Sequence, residues 1–137
     1  MPAFVLDTSI ALKWFLADED DRADSLILLK SISETSRPVV PWLWFYEMGN
    51  ALTVAVRRNR IAIEQLEEIL QMLEQMPIDI DPPDRADLLR LSHVARKHTL
   101  TTYDAAYLSL ALREKLPLAT ADQALKKAAL AEGLTLI

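Results

Sequence analysis

Hydrophobic and polar residues form two kinds of segment along the chain, short apolar runs and longer amphipathic stretches. The short runs predict buried strands at residues 3–6, 39–40, 78–80, 116–120 and 134–137. The longer stretches predict helices over residues 10–16, 18–33, 42–58, 63–76, 82–97, 103–114 and 122–131. Short apolar strands that alternate with helices are typical of a parallel sheet covered on both faces. The pattern therefore predicts an α/β fold.

The same pattern predicts which side chains are buried. In the helix over residues 18–33 we expect the buried side to contain Ala23, Leu26, Ile27 and residues 29–32. The large aromatic residues are expected first of all in the core, with base stacking as a lesser alternative; they are Trp14, Trp42, Trp44, Tyr103 and Tyr107.

Composition narrows the class of protein. With 137 residues, of which 51% are apolar, the chain is long enough for one core and too short for two. It has no cysteine, which excludes disulfides and thiol nucleophiles and favours a reducing cytoplasm. The first residues lack a basic segment, and no apolar run approaches the length of a membrane span. We therefore expect a cytoplasmic protein with neither a signal peptide nor a membrane segment.

Charge and glycine content exclude further classes of site. The net charge of −5 argues against binding nucleic acid through a broad basic face. The chain has only two glycines, which excludes a glycine-rich phosphate loop and a dinucleotide fingerprint. An acidic chain can bind nucleic acid only if metal ions contribute to the neutralisation.

Four carboxylates mark a possible site. Asp7 and Asp122 follow predicted strands, at the edge of the sheet where ligands bind in such folds. Asp104 begins a helix, and Glu47 is the only charge in residues 38–56. Taken singly, each aspartate is explained by helix capping, and Glu47 by a solvated stripe or a salt bridge. Taken together, oxygen ligands suit Mg²⁺ or Mn²⁺, and two such ions can hydrolyse a phosphodiester through an activated water.

Histidines and arginines offer weaker signals. His93 and His98 are about 140° apart around a helix, so they cannot share a metal ion from one face. Three arginines lie at the far end of the helix of Glu47, about 15 Å away at 1.5 Å per residue. They either complement the helix C-terminus or hold phosphates of a bound RNA. We keep the second role open for Arg57 and Arg60.

Four motifs carry a resemblance to a known family. They are VLDTSIALKWF at 5–15, EMGNAL at 47–52, YDAAYLSLA at 103–111 and LATADQAL at 118–125. Together they resemble the motifs of PIN-domain proteins, especially the VapC-type toxins of bacterial and archaeal toxin–antitoxin pairs. The motifs come in the order of the family and span nearly the whole chain. Each motif alone is weak, but four in order are a strong signal.

The resemblance implies a fold, an activity and a site. The fold is a three-layer α/β/α sandwich with a short, mainly parallel central sheet, formed by a single PIN-like domain over residues 1–137. The activity is that of an endoribonuclease dependent on Mg²⁺ or Mn²⁺, acting on structured RNA such as tRNA or rRNA. By motif position the metal-binding and catalytic acids are Asp7, Glu47, Asp104 and Asp122, with Ser9, Asn50 and Thr120 as supporting residues.

The resemblance also implies partners. It suggests a homodimer and a cognate antitoxin whose C-terminal segment fills the acidic groove with a basic or apolar side chain. The apolar faces of residues 25–32 and 63–76 could serve either contact or simply pack on the sheet. Some relatives carry a further acid just after the fourth motif, where this chain has Gln123 and Ala124. That departure leaves a second metal ion in question.

Two other functions compete with the nuclease. A haloacid-dehalogenase type of phosphatase could use Asp7 as a phosphorylated nucleophile, but that family has a second Asp two residues later, where this chain has Ser9. The other is a catalytically silent PIN-like module that binds RNA or a protein. The intact set of four acids argues against it, because a binding module has no need of them.

Overall fold

Four parallel strands form the centre of the computed structural model, which describes residues 3–137. They are β1 (Ala3–Leu6), β2 (Arg37–Pro41), β3 (Asp79–Asp81) and β4 (Leu118–Ala119), in the spatial order β3-β2-β1-β4. In the register, Ala3 lies opposite Arg37 and Val5 lies opposite Leu118. The central strand β1 is apolar throughout because helices cover both faces of the sheet. Its carboxyl end leads directly into Asp7.

Helices cover the sheet in two groups. The described part of the chain forms seven: α1 (Thr8–Phe15), α2 (Arg22–Ser31), α3 (Leu43–Arg57), α4 (Ile63–Gln75), α5 (Asp87–His98), α6 (Thr102–Glu114) and α7 (Gln123–Ala131). Helix α1 packs against α2 and α3, and α3 packs against α4. Helix α5 packs along α6, which crosses β1 and β2 and contacts α7. The predicted three-layer α/β/α fold with a parallel sheet is confirmed.

Most predicted elements are present, but three of them differ from the prediction by more than two residues. Helix α2 begins at Arg22 instead of residue 18, because Asp21 adopts a left-handed backbone (φ 52°) that a continuing helix does not allow. Helix α5 begins at Asp87, because the Asp84 carboxylate accepts a hydrogen bond from Ala86 N and forms a turn. The strand predicted at 134–137 is reduced to a single bridge from Leu136 to Leu118.

The buried side of α2 differs from the prediction. Ala23 is exposed and Ile27 is 66% exposed, whereas Ser25 and Leu28 are buried. The Ser25 hydroxyl donates to the Ile10 carbonyl at 2.8 Å, and the Ser25 carbonyl accepts from Trp14 Nε1 at 2.8 Å. These two bonds fix the rotation of α2 on α1, which a pattern of apolar residues alone does not record.

The aromatic residues divide between core and surface. Trp14, Trp44 and Tyr107 are buried as expected, but Trp42 is 47% exposed and Tyr103 is 65% exposed. The prediction that all five are core residues is therefore wrong for these two. Trp42 immediately precedes α3 and Tyr103 lies in the first turn of α6, where few neighbouring elements cover a side chain. No helix in residues 3–137 is long and apolar enough to cross a membrane.

Candidate active site

The four predicted acids lie on elements that follow or flank the carboxyl ends of β1, β2 and β4. Asp7 directly follows β1, Glu47 is in α3 after β2, Asp104 is in the first turn of α6, and Asp122 precedes α7 after β4. The negative charge of Asp122 repels the carboxylates of Asp7 and Asp104, and the charges of Asp7 and Asp104 repel the carboxylate of Glu47. We call these four carboxylates the acidic group.

Asp7 is a buried carboxylate that is held by hydroxyl groups. Its side chain is 4% exposed and accepts hydrogen bonds from Ser9 Oγ at 2.6 Å and from Thr120 Oγ1 at 2.7 Å. It makes no capping bond to the backbone of α1. Burial raises the pKa of Asp7, and repulsion by Asp122 adds to this, whereas the two hydroxyls act in the opposite direction. The two hydroxyls thus stabilise the charged form of Asp7, whereas its burial and the neighbouring Asp122 disfavour that form.

The two hydroxyls also join the loop before α7 to the start of α1. Ser9 Oγ accepts from Ala121 N at 2.9 Å, and Thr120 Oγ1 accepts from Asp122 N at 3.1 Å. Each hydroxyl therefore receives a backbone N–H and donates to Asp7. The same bonds fix the backbone that carries Asp122. Ser9 and Thr120, the two hydroxyls to which the motifs pointed, thus both contact Asp7 directly.

Glu47 is half-buried and bonded to a tyrosine. Tyr107 Oη donates to Glu47 Oε1 at 2.6 Å, and the Tyr107 side chain has no exposed surface. Burial raises the pKa of Glu47, as do the charges of Asp7 and Asp104, while the bond from Tyr107 lowers it. Burial and the neighbouring Glu47 together raise the pKa of the Tyr107 phenol. The sequence pattern predicts Tyr107 only as a core residue and does not predict this contact, although the position of Tyr107 one turn after Asp104 is a signal.

Asp104 and Asp122 differ in how they relate to their helices. The cap of α6 is the Thr101 hydroxyl, which accepts from Asp104 N at 3.0 Å, so the Asp104 carboxylate is not needed for capping. Asp122 does cap α7, because its Oδ1 accepts from Leu125 N at 2.9 Å. Burial raises the pKa of Asp104, and the charges of Asp122 and Asp7 raise it further. Of the three aspartates, capping explains only Asp122.

The acidic group fits an ion that keeps part of its water shell. Within residues 3–137, no three carboxylate or imidazole groups converge closely enough to enclose a metal ion by themselves. Mg²⁺ usually retains several waters and takes only one or two protein carboxylates, so an open arrangement of oxygen ligands suits it. None of the four acids forms an ion pair with a basic side chain in that part of the chain. Their mutual repulsion therefore favours a bound cation.

The other predicted residues lie outside this group of contacts. Asn50 is exposed one turn after Glu47, and within residues 3–137 its side chain makes no hydrogen bond. Arg57 is exposed at the end of α3. Arg60 is engaged by Asp18, whose two carboxylate oxygens accept from its guanidinium at 2.8 and 2.7 Å. A phosphate contact by Arg60 would have to compete with that pair.

A groove with a mainly apolar lining lies outside the acidic group. It has a volume of about 880 Å³ and runs between the start of α3, the start of α5 and one face of α6. Its apolar lining includes Trp42, Tyr46, Leu88 and Leu91, and none of the four acids lines it. Three aspartates and three arginines also line it, namely Asp81, Asp84, Asp87, Arg85, Arg90 and Arg113. We call this surface the α3–α5 groove.

Known proteins share the sequence and the fold. The PIN domain family matches residues 4–130 of this chain. Ribonuclease VapC1 of Mycobacterium tuberculosis is 35% identical over 104 residues, which are 76% of this chain and 77% of that protein. The structure of Mycobacterium tuberculosis VapC20, a sarcin-ricin loop cleaving toxin, has a TM-score of 0.72 at 12% identity and covers 98% of both chains. FitAcB from Neisseria gonorrhoeae has a TM-score of 0.65 at 17% identity, covering 98% of this chain and 96% of its own.

Proposed function

Because this chain belongs to the PIN domain family, we propose that it is a metal-dependent endoribonuclease of the VapC type, the toxin of a toxin–antitoxin pair. The observation that carries the proposal is the acidic group, whose carboxylates repel one another without a basic partner in residues 3–137. Such an arrangement costs free energy unless a cation binds there. Helix capping does not account for Asp7, Glu47 or Asp104.

In this proposal the acidic group holds Mg²⁺ or Mn²⁺. A divalent ion held by Asp7, Glu47, Asp104 and Asp122 would supply the activation of water and the charge stabilisation that phosphodiester hydrolysis needs. The protein keeps the ligands in place: Ser9 and Thr120 bond Asp7, and Leu125 N holds Asp122. Residues 123 and 124 contribute no carboxylate, and one ion is enough for the proposal.

Structured RNA is the proposed substrate. VapC1 is a ribonuclease, and it resembles this chain over most of both lengths. We extend to this chain the expectation of a tRNA or rRNA target, which would place its action in the cytoplasm. The net charge of −5 disfavours binding RNA through a broad basic face, but each bound divalent ion would cancel two of the negative charges. Binding then depends on metal as well as on basic side chains such as Arg57.

The proposed partners are an antitoxin and a second copy of the chain. A basic side chain of an antitoxin would relieve the repulsion within the acidic group and compete with the metal. For the homodimer we propose the α3–α5 groove, because its lining is mainly apolar and four of its six charged side chains already pair within the chain, Arg90 with Asp87 and Arg113 with Asp81. Contact between two copies through this surface would bury apolar area and leave few charges without a partner.

Cleavage of total bacterial RNA tests the nuclease. We expect the purified protein to produce discrete fragments with Mg²⁺ or Mn²⁺ and none with EDTA. Asp7→Asn and Asp104→Asn should each reduce the cleavage rate at least about 100-fold, because they remove a ligand to the ion that activates the water. Circular dichroism confirms that each variant is folded, and sequencing of the fragment ends identifies the target.

Two outcomes would contradict this proposal. Metal-dependent cleavage that persists in folded Asp104→Asn would show that the acidic group is not the site. Absence of cleavage by the wild-type protein, once mass spectrometry has excluded a copurified antitoxin, would favour a silent binding module. Such a module should bind RNA equally well with Mg²⁺ and with EDTA.

A further inference from the structure

Tyr107 connects the two helices that carry Glu47 and Asp104. It lies in α6, three residues after Asp104, and its hydroxyl donates to Glu47 Oε1 in α3 at 2.6 Å. The Tyr107 side chain has no exposed surface, whereas Glu47 is only half-buried. Since solvent does not reach the tyrosine, water cannot readily take the place of Glu47 as the acceptor of this bond.

We propose that Tyr107 is a positioning residue for Glu47, and that its hydroxyl is required for tight metal binding by the acidic group. The inference rests on the proposed function, because it takes the acidic group as the place where a divalent ion binds. It assigns a role to Tyr107, a residue inside the third motif that burial alone would assign to the core.

Glu47 is repelled by the other carboxylates of the acidic group. The negative charges of Asp7 and Asp104 disfavour a third carboxylate beside them. A glutamate side chain has three rotatable bonds, so without a partner it would turn toward solvent. A hydrogen bond from a buried phenol to a carboxylate is charge-assisted and stronger than one between neutral groups. Tyr107 therefore holds Glu47 against the repulsion.

The choice of a neutral donor matters for the metal. A lysine or arginine at the same place would also hold Glu47, but it would cancel the negative charge that attracts a cation. A phenol holds the carboxylate and leaves that charge in place. Packing alone does not require the hydroxyl, since phenylalanine has nearly the same shape and burial of an unbonded hydroxyl is costly.

Manganese binding, measured by isothermal titration calorimetry, tests the inference without depending on cleavage. Groups that orient metal ligands typically change metal affinity 10- to 100-fold when they are removed, so we expect a loss of about that size in Tyr107→Phe. Tyr103→Phe is the matched control, because Tyr103 is exposed and immediately precedes Asp104. That variant should bind Mn²⁺ as the wild type does.

A double-mutant cycle separates positioning from a general effect on packing. If Tyr107 acts through Glu47, then Tyr107→Phe should cause little further loss of Mn²⁺ affinity in a Glu47→Gln background. The Glu47→Asp variant has a shorter side chain and leaves the core intact. In this variant too, Tyr107→Phe should cause little further loss of Mn²⁺ affinity. In cleavage assays Tyr107→Phe should lower kcat and raise the Mn²⁺ requirement, with little change in KM for RNA.

Several results would overturn the inference. One is wild-type Mn²⁺ affinity in folded Tyr107→Phe, and another is an equal loss of affinity whether or not Glu47 is present. A wild-type protein that binds Mn²⁺ but cleaves no RNA would contradict the nuclease alone and leave the test of Tyr107 valid. A wild-type protein that binds no Mn²⁺ would overturn both.

Discussion

The Asp7 carboxylate lies at the position of a helix cap, but it accepts hydrogen bonds from two side-chain hydroxyls and does not cap the helix. Asp7 bonds the hydroxyls of Ser9 and Thr120, while the backbone of α1 receives no capping bond from it. A cap on the surface keeps its charge solvated, but Asp7 is 4% exposed and repelled by Asp122. At neutral pH the charged side chain therefore lowers the free energy of unfolding, as is expected for a metal ligand in the absence of its cation.

The raised pKa of Asp7 predicts that the stability of the protein depends on pH. Because the pKa of Asp7 is raised in the folded protein, mainly by burial, the unfolded chain ionises first as pH rises. The contribution of Asp7 to stability is thus fully present below its unfolded pKa and is lost as pH rises through its folded pKa. Asn does not ionise. We expect the free energy of unfolding of Asp7→Asn, relative to the wild type, to increase as pH rises from about 3 to 7.

Urea denaturation in EDTA at a series of pH values measures this difference. The comparison with Asp7→Asn removes the effects of Asp18 and Glu132, whose pKa values are lowered by surface ion pairs in both proteins. A difference that stays constant with pH would contradict a raised pKa for Asp7. Added Mg²⁺ should stabilise the wild type more than the variant, because binding to the folded state alone adds to its stability.

Among individual residues, the sequence points to the four acids and to the hydroxyls beside Asp7, but not to the partner of Glu47. The motifs point to Asp7, Glu47, Asp104 and Asp122 because four acids occur in the order of one family, although each aspartate alone could be a helix cap. Tyr107 is different, since a tyrosine among apolar residues indicates only burial. Its acceptor lies 60 residues away along the chain, and only the packing of α6 against the rest of the domain brings the two together.

At the scale of elements, periodicity predicts which segments are helices and strands but not how each is rotated or where each begins. Helix α4 matches its prediction within one residue because its apolar positions recur at helical spacing. The start of α2 is set by the backbone of Asp21, and its rotation is set by the bonds of Ser25. Such bonds depend on tertiary contacts, which a local pattern does not contain.

Helix α3 offers a test of stability that should leave the site intact. Gly49 lies inside α3, two residues after Glu47, and a Cβ atom added there would meet no atom within 4 Å. Glycine inside a helix costs about 0.5–1 kcal/mol relative to alanine, because the unfolded chain is more flexible. We expect Gly49→Ala to raise the free energy of unfolding by about this amount and to leave RNA cleavage unchanged.

The matched control is the reverse change in the same helix. Ala51→Gly should lower the free energy of unfolding by a similar amount, about 0.5–1 kcal/mol, as measured by urea denaturation. A stable Gly49→Ala protein that has lost cleavage would contradict the expectation. It would show that the surface beside Glu47 must remain open, so that the substrate passes over Gly49.

At the scale of the whole molecule, the acidic group and the exposed apolar surface are separate, because none of the four acids lines the α3–α5 groove. The acidic group follows or flanks the carboxyl ends of β1, β2 and β4, and Tyr46, which lines the groove, precedes Glu47 in α3. Exposed apolar surface in a folded protein is typical of contact sites. The α3–α5 groove is therefore a candidate contact surface that is distinct from the acidic group.

Leu88 tests whether the groove forms the dimer. This side chain is 71% exposed and lines the groove, so a charge there would be buried without a partner when two copies meet. We expect the wild type to sediment as a dimer and Leu88→Glu as a monomer, with dimer affinity reduced at least about 100-fold. Analytical ultracentrifugation over a range of concentrations measures the change.

Two further substitutions make the result specific to that surface. Leu130→Glu on α7 adds the same charge at a leucine that is 61% exposed outside the groove, and it should leave the dimer intact. Ile27→Glu probes the alternative face on α2, where the side chain is 66% exposed. If Ile27→Glu produced monomers and Leu88→Glu did not, the interface would lie on α2, and the groove would remain free for another partner.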